Sequence, residues 1–444
     1  MSQGLSEKLR LLWHYVQARR NFRRWQDREK LHLWQDAQVE RHLQRILPRS
    51  AYYRDLCRAG AGKNWRQLPA SNKASLMAHF DDWNTAGIQM SEAWEIAERA
   101  ERTRDFHPTL NGITVGLSSG TSGSRGIFLA SASERSRWAG TLLARVLQGT
   151  LHRAHRAALF LRADSNLYQT VGSRRFQFSF FDLLHPLEDQ WKALQKLRPT
   201  LLAAPPAALT RMATFPGAAA LLEPPALLLS VADVLDDADR AVIEKGFGTR
   251  VGQIYQATEG FLAATCPHGN LHWNEDALVV EKDWLDAAHT RYRPIITDFR
   301  RTTQPILRYQ LDDVIVHSDV PHCPCGSIFG LLGKIEGRQD DVLYLRSLDG
   351  QRWITLFPDF VRRAIVLATK TGVDYRVQQG SADQWRLSFS DEHMDPTSLR
   401  MEIRRLCAIY SARPPELIFE VWTPPALQVK QRRIRRLMAQ PDLS

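Results

Sequence analysis

The chain has 444 residues, 44% of them hydrophobic and 24% charged, which is ordinary for a globular protein and excludes a collagen-like, coiled-coil or wholly disordered chain. That length exceeds one compact core and suits a large domain followed by a smaller one. Lysine and arginine outnumber acidic residues 59 to 48, a net charge of +11 that suits a polyanion, an anionic membrane surface or a phosphate-rich cofactor. No zinc-finger spacing, RNA-recognition signature or basic zipper accompanies the charge, so no specific nucleic-acid partner is expected.

The N-terminal residues interrupt their apolar positions with Glu7, Lys8 and Arg10 and lack a signal-peptide core, and no apolar run approaches the ~20 residues of a membrane span. A cytoplasmic protein without a transmembrane segment is the expectation. Residues 6–47 read as helical up to Pro48, with apolar positions at helical spacing in pieces such as Leu12/Val16 and Val39/Leu43/Ile46. This amphipathic face is expected to pack on the protein body. Trp13, Trp25 and Trp34 stand among arginines, which leaves peripheral membrane contact open.

From about residue 111, short apolar runs (Ala157–Leu161, Thr200–Ala204, Leu227–Val231, Val251–Tyr255) alternate with helical stretches (Glu188–Leu197, Asp236–Lys245). Such alternation predicts an α/β sheet covered by helices. Beyond Gly337, alternating segments at 342–345, 375–378, 385–389 and 417–421 surround helical stretches at 358–369 and 397–409. They predict a small α+β domain. The expected organisation is residues 1–337 as an N-terminal domain and 338–444 as a C-terminal one.

One stretch stands out chemically: Ser118-Ser119-Gly120-Thr121-Ser122-Gly123-Ser124-Arg125-Gly126. Glycines permit tight turns, consecutive N–H groups and hydroxyls can wrap a phosphate chain, and Arg125 adds a cation. It is not a P-loop of the GxxxxGK[ST] type, since no Lys-Ser/Thr follows at the required offset. Alone, a Ser/Gly-rich run is usually a plain turn. Downstream, however, come Tyr255-Gln256-Ala257-Thr258-Glu259-Gly260 after an apolar run, then Arg308-Tyr309-Gln310-Leu311-Asp312-Asp313, then Gly337-Arg338-Gln339-Asp340-Asp341.

In this order the set resembles the adenylate-forming superfamily of acyl-CoA synthetases, peptide-synthetase adenylation domains and luciferases. Within it the chain is most similar to the phenylacetate–CoA ligase branch and related adenylate-forming enzymes, whose early Ser-x-Tyr-Tyr-Arg segment is matched by Ser50 to Arg54. The resemblance implies an α/β fold: a large N-terminal adenylate-forming domain with mixed sheets and packed helices, and a small mobile C-terminal α+β lid. It further implies ATP and Mg²⁺ as cofactors. Ser118, Ser119, Gly120, Thr121, Ser122, Gly123 and Arg125 would hold the ATP phosphates, with Arg125 where the family often has lysine. Tyr255 would flank the adenine, Thr258 would contact the α-phosphate, and Glu259 would hold Mg²⁺. Asp313 would bind the ribose hydroxyls, Arg338 would make a second ribose or phosphate contact, and Asp340 would be the hinge, with Asp341 as an alternative. Lys430 would be the catalytic lysine, stabilising charge that builds during adenylation. Gln256, Asp312 and Val429 stand where the family usually has glycine.

The resemblance also gives meaning to the cysteines, which are too few and too sparse for a disulfide framework. Cys266, His272, Cys323 and Cys325 would form a closed structural Zn²⁺ site, with His268 and His322 as alternatives. Phe176, Phe178, Phe180 and Phe181 lie in the stretch that would line an aryl or other apolar acid pocket, although phenylalanines are more often plain core. Ser230 to Val234 is too changed for roles to be carried over.

The implied function is ATP-dependent activation of a small carboxylic acid to an acyl-adenylate. Transfer would follow to a thiol, either coenzyme A or the phosphopantetheine of an acyl carrier protein. An amide-forming ligase is the alternative, and a non-catalytic nucleotide-binding homologue the second.

Overall fold

The structure is a computed structural model. It describes residues 2–59, 64–118, 125–147, 153–161, 176–224, 226–369, 373–391, 393–423 and 432–442, with side chains from residue 8 onward. Ser119, Gly120, Thr121, Ser122, Gly123 and Lys430 lie outside the described residues. Two compact units emerge, one of Met1–Leu311 and Val316–Lys334, the other of Asp312–Ile315 and Ile335–Ser444.

The first unit opens with helices α1 (Ser2–Arg24), α2 (Arg28–Ile46), α3 (Ala51–Arg58), α4 (Lys73–Ala78), α5 (Phe80–Trp83) and α6 (Met90–Thr103). The expected single helical run breaks at Asp27, whose extended backbone and side chain, accepting from Glu29 N, cap α2. A small antiparallel sheet of β1 (Thr109–Leu110), β2 (Ile113–Leu117) and β3 (Ile127–Ala130) follows, then α7 (Ala132–Val146).

The α/β alternation read from the sequence is present: β4 (His155–Leu161), β5 (Phe176–Asp182), α8 (Leu187–Leu197), β6 (Leu201–Ala204), α9 (Pro206–Ala213), α10 (Ala218–Leu221), β7 (Leu227–Ser230), α11 (Asp237–Phe247) and β8 (Val251–Ala257). These strands pair in parallel in the order β5-β4-β6-β7-β8. The sheet continues, with antiparallel pairings at β8–β9 and β9–β10, through β9 (Gly260–Thr265), β10 (Leu271–Trp273), β11 (Leu278–Trp284), β12 (Arg291–Asp298), β13 (Ile306–Gln310), β14 (Asp313–His317) and β15 (Leu331–Arg338). Strands β14 and β15 each contribute residues to both units.

Alternation along β4 divides the core in two, because successive side chains leave a strand on opposite faces. Ala157 and Leu159 join Tyr15 and Ala18 of α1 and Ala139 and Leu143 of α7. Ala158 and Phe160 join Leu194 of α8, Met212 of α9 and Phe247 of α11.

Helix α1 reaches α7 through one small residue. A Cβ on Gly140 would lie 2.6 Å from the Leu11 carbonyl oxygen and 2.9 Å from the Tyr15 nitrogen, both backbone atoms that cannot move aside cheaply. Helix α7 is itself well begun. Ser131 and Glu134 form a capping box, and the Glu134 carboxylate also accepts from Thr302 N at 2.6 Å and from Thr303 N at 2.9 Å. Burial opposes ionisation of Glu134, yet the hydrogen bonds from Thr303 and Ser131 hold it below the usual carboxylate range.

The second unit carries the hairpin β16 (Leu343–Arg346) and β17 (Trp353–Leu356), then α12 (Pro358–Ala368), β18 (Tyr375–Ser381), β19 (Gln384–Phe389), α13 (Pro396–Ile409), β20 (Glu416–Phe419) and β21 (Ile434–Arg436). Its sheet has the order β20-β19-β18-β21. Trp385, Val377, Val361, Leu399 and Ile403 fill one core between the sheet and both helices. Buried Gln379 fastens the hairpin to the sheet by accepting from Tyr344 N at 3.0 Å and donating to Tyr344 O.

Replacing Gly140 with valine raises intrinsic helix propensity, yet the close approach of α1 predicts a loss of about 1–3 kcal/mol from overpacking. Urea denaturation of the variant measures this; a gain in stability would remove the close-approach account.

Candidate functional site

The β8–β9 turn, strand β13 and the start of α4 bring acid, hydroxyl and amine together in the first unit. Glu259 follows β8, and its Oε1 accepts from the Tyr309 hydroxyl at 2.8 Å while its Oε2 accepts from the Thr258 hydroxyl at 2.9 Å. Behind it, the Arg301 guanidinium donates to the Thr258 carbonyl and, at 3.1 Å, to the Leu129 carbonyl, tying the Glu259 turn to β3. Gln304 completes the tie, donating to Ile127 O at 3.0 Å and accepting from Leu129 N at 3.1 Å.

A cleft at this point is lined by Lys73, Gly126, Phe128, Thr258, Glu259 and Tyr309. Lys73 has no counterpart among the residues the motifs point to. Its position comes from a backbone bridge: Ser71 N donates to Arg308 O at 3.0 Å, and Gln310 N donates to Ser71 O at 2.8 Å. This pairing lays residues 71–73 beside β13 and sets the start of α4 against the Glu259–Tyr309 pair. The only sequence signal is the Asn72 N-cap before a short apolar helix, which says nothing about partners 238 positions away.

Arg308 is held by partners from elsewhere in the chain. Its side chain, about a fifth exposed, pairs with Glu281 at 3.0 Å and donates to the Leu68 carbonyl at 2.6 Å. It braces the same segment from the other side. The Ser50–Arg54 segment is likewise structural: Ser50 caps α3, buried Tyr53 meets the Pro305 carbonyl at 3.3 Å, and Tyr52 stacks on Trp83 at 4.3 Å.

The Ser/Gly-rich loop is closed at its neck. Ser118 N donates to Gly126 O and Gly126 N to the Ser118 hydroxyl, both at 2.7 Å. Lys73 lies against Gly126, where a Cβ would meet the Lys73 Cε at 3.0 Å. Arg125 pairs with Glu101 and donates to the Ser118 carbonyl at 3.3 Å, so in this arrangement it stiffens the neck.

Tyr255 lies buried in β8, its ring 5.8 Å from that of Trp273, and Gln256 accepts from the Trp138 indole at 3.1 Å. Gly260 opens β9 where a Cβ would approach an Asp298 carboxylate oxygen to 3.1 Å. Burial pushes Asp298 up to about 6, against the pull of the Arg300 amide and of Arg301. The phenylalanines divide between the two cores, with Phe176 and Phe178 packed on the α1/α7 side and Phe181 stacked on Phe160 at 4.6 Å on the other. The core reading of these three therefore holds. In the Ser230–Val234 turn, Ala232 has φ +66°, a strained value for an alanine, and the buried Ser230 hydroxyl has no hydrogen-bond partner among the described residues. The turn lies at the carboxyl end of a parallel strand, where open α/β sheets bind ligands.

In the second unit, Asp313 and Arg338 meet at 3.7 Å. The turn Gln339–Asp341 follows, and its two aspartates differ in surroundings. Asp341 is buried, accepting from Arg338 N at 2.8 Å and pairing with Arg432 Nε at 2.9 Å, whereas Asp340 is 45% exposed and 3.7 Å from Arg432. Asp341 fixes the turn, and Asp340 is left on its outer side.

Cys266, His272, Cys323 and Cys325 converge in the first unit, their donor atoms all within 4.8 Å of one another. The sulfurs of Cys266 and Cys323 are 3.6 Å apart, close to the ~3.8 Å that two ~2.3 Å Zn–S bonds would span in a tetrahedron. His272 Nδ1 bonds the Phe329 carbonyl at 2.9 Å, which fixes the ring and turns Nε2 toward Cys325 at 3.4 Å. Asn270 donates to Cys323 Sγ at 3.2 Å, supporting a thiolate there. The donor set and its outer partner fit tetrahedral zinc. His268 and His322 are outside the convergent group.

No family model matches the chain, and no curated protein matches it in sequence. Solved structures do match in fold. A 2-hydroxyisobutyryl-CoA ligase in its postadenylation state, in complex with R3-HIB-AMP, is 17% identical with a TM-score of 0.62, over 90% of this chain and 88% of its own. The same ligase with 2-HIB-AMP and CoA, in its thioesterification state, is 18% identical with a TM-score of 0.53, over 94% and 91%. An amide bond synthetase from Marinactinospora thermotolerans is 15% identical with a TM-score of 0.51, over 72% and 68%. The chain has the fold of the adenylate-forming ligases.

Proposed function

We propose that the protein activates a carboxylic acid with ATP and passes the acyl group to a thiol, as an adenylate-forming ligase of the phenylacetate–CoA ligase branch. The observation that carries this reading is the cleft in which Glu259, supported by Thr258 and Tyr309, faces Lys73 and the closed neck of a Ser/Gly loop. A carboxylate and an ammonium lining one narrow cleft suit a metal-bound polyphosphate: Glu259 offers a hard oxygen ligand for Mg²⁺, and Lys73 a cation for phosphate oxygens.

In the first half-reaction a carboxylate oxygen attacks the α-phosphorus of ATP. The bond to the bridging oxygen breaks, and pyrophosphate leaves. Thr258 is the hydroxyl for the α-phosphate, Tyr255 the wall beside the adenine, Asp313 the ribose contact and Arg338 a second contact to ribose or phosphate. Lys430 is the cation for charge that builds in the transition state. In the second half-reaction a thiol sulfur attacks the acyl carbon and AMP leaves. Residues 338–444 act as the lid, turning at Asp340 while Asp341 holds Arg432. Coenzyme A or an acyl carrier protein's phosphopantetheine is the acceptor, an aryl or other apolar acid the substrate, and the cytoplasm the site of action. Supporting this order of preference, the fold is shared with a ligase bound to an acyl-adenylate and CoA. The fold shared with an amide bond synthetase keeps an amine acceptor as the second reading.

Release of pyrophosphate from Mg·ATP across a panel of aryl, indolyl and aliphatic acids tests the first half-reaction. One acid is expected to give release that falls at least about 100-fold in Glu259→Ala and in Lys430→Ala, equivalent to about 2.7 kcal/mol of transition-state stabilisation. Lys73→Ala is expected to raise the KM for ATP more than it lowers kcat. Addition of coenzyme A, a carrier protein or amines then identifies the acceptor. Silence across the panel with ATP binding intact would turn the assignment to a nucleotide-binding homologue without turnover.

The four-residue cluster is assigned as a structural zinc site that closes two loops, its chemistry confined to holding Cys266, His272, Cys323 and Cys325 in place. Metal analysis is expected to find about one zinc per chain, lost in the Cys323→Ser/Cys325→Ser variant together with a lowered melting temperature. A wild-type protein that takes up no zinc after reconstitution would end this assignment.

A further inference from the structure

Helix α1 has two faces with opposite fates. His14, Tyr15, Ala18 and Asn21 are buried, and Gly140 allows this side to lie directly on α7. On the other side, Leu9, Leu12, Trp13 and Val16 are 60%, 51%, 58% and 56% exposed. Their spacing of three, four and seven places them on one stripe of the helix. Continuing that stripe by the same steps beyond Val16 reaches Arg20 and Arg23, both exposed. Lys8, Arg10 and Arg24 are exposed as well, and residues 8–24 contain no acidic residue.

We propose that this outer face of α1 is a membrane-docking surface, seating the protein on an anionic lipid bilayer with Leu9, Leu12, Trp13 and Val16 entering the headgroup boundary and Arg20 and Arg23 meeting lipid phosphates. Charge selects this occupant. A second copy of the chain would bring a cationic rim against an identical cationic rim on a molecule already at +11, whereas an anionic bilayer neutralises it. The shape agrees, because the apolar side chains form a single ridge on one helix, which suits penetration of a soft interface. Trp13 has the amphipathic ring that settles at headgroup depth. The ridge enters and does not cross: among the described residues no helix is long and apolar enough to span a membrane.

Helix α1 is held while it does this. Arg145 of α7 donates to the Ala18 carbonyl at 2.8 Å and stacks on Phe22 at 4.8 Å, so the outer face needs no folding on contact. The surface belongs to the first unit and does not depend on the assigned chemistry.

Co-sedimentation of the full-length protein with vesicles tests the proposal. Binding is expected to 1:1 phosphatidylcholine/phosphatidylglycerol vesicles, at least about 10-fold stronger than to pure phosphatidylcholine and falling steeply between low and physiological salt. Leu12→Gln/Val16→Gln and, separately, Arg20→Glu/Arg23→Glu are each expected to weaken binding at least 10-fold with an unchanged circular dichroism spectrum and melting temperature. Wild-type protein that stays in the supernatant with anionic vesicles overturns the proposal, and so does binding that neither variant weakens. Light scattering adds a third adverse result: a wild-type dimer that Leu12→Gln/Val16→Gln converts to monomer would assign the ridge to a second copy. Should a variant fail to fold, the wild-type lipid and salt dependence decides alone.

Discussion

The first unit is organised around a guanidinium with nowhere to go. Arg145 is 5% exposed, and a charge so placed costs several kcal/mol unless its donors are used. They are: Asp276 accepts at 2.6 Å, Asn274 at 2.9 Å and the Ala18 carbonyl at 2.8 Å, while Phe22 and Phe329 flank the plane. One residue earlier than Asp276, Glu275 pairs with Arg28 of α2 at 2.9 Å and accepts from Gly330 N. Asn274 and Asp276 thus hold the guanidinium that receives α1 at Ala18, while Glu275 between them receives α2 and the segment after Cys325. Phe22 touches the His272 ring at 5.4 Å, so the anchoring of α1 and the geometry of the cysteine cluster belong to one packed region.

This explains why so much of the fold was legible in the sequence and why some of it was not. The parallel strands and their helices announce themselves by local runs of apolar residues, and the observed bounds differ by a residue or two. The motifs at Ser118, Tyr255, Arg308 and Gly337 are local too. Lys73 is different, because its significance comes from a backbone pairing with β13. Arg125 and Arg308 are similar cases: the residue type suggests a charge for solvent or phosphate, whereas each meets a carboxylate and a carbonyl brought from elsewhere. The phenylalanines of β5 stand together in sequence but are divided by strand alternation, Phe176 and Phe178 to one core and Phe181 to the other.

The adjacent aspartates of the Gln339–Asp341 turn could not be told apart by motif. Burial separates them. Asp341, with a backbone amide and a guanidinium on its carboxylate, would be left uncompensated by any rotation that broke those contacts. Asp340 stands at the solvent side, where its contact with Arg432 is the longer one at 3.7 Å. Because Asp341 and Arg432 lie in the same unit, their pair also fastens the segment after Lys430 to the beginning of that unit.

The bridge between Ser71 and Tyr309 has a consequence for synthesis. A ribosome delivers Lys73 early and β13 only after most of the first unit has emerged, so the two cannot meet while the strand is still unmade. The early helices have partners of their own before then, but the amine in the cleft depends on one of the longest loop closures in the chain. Assembly of the cleft is in this sense a late event. Any nascent or truncated chain ending before residue 310 carries Lys73 without the strand that places it.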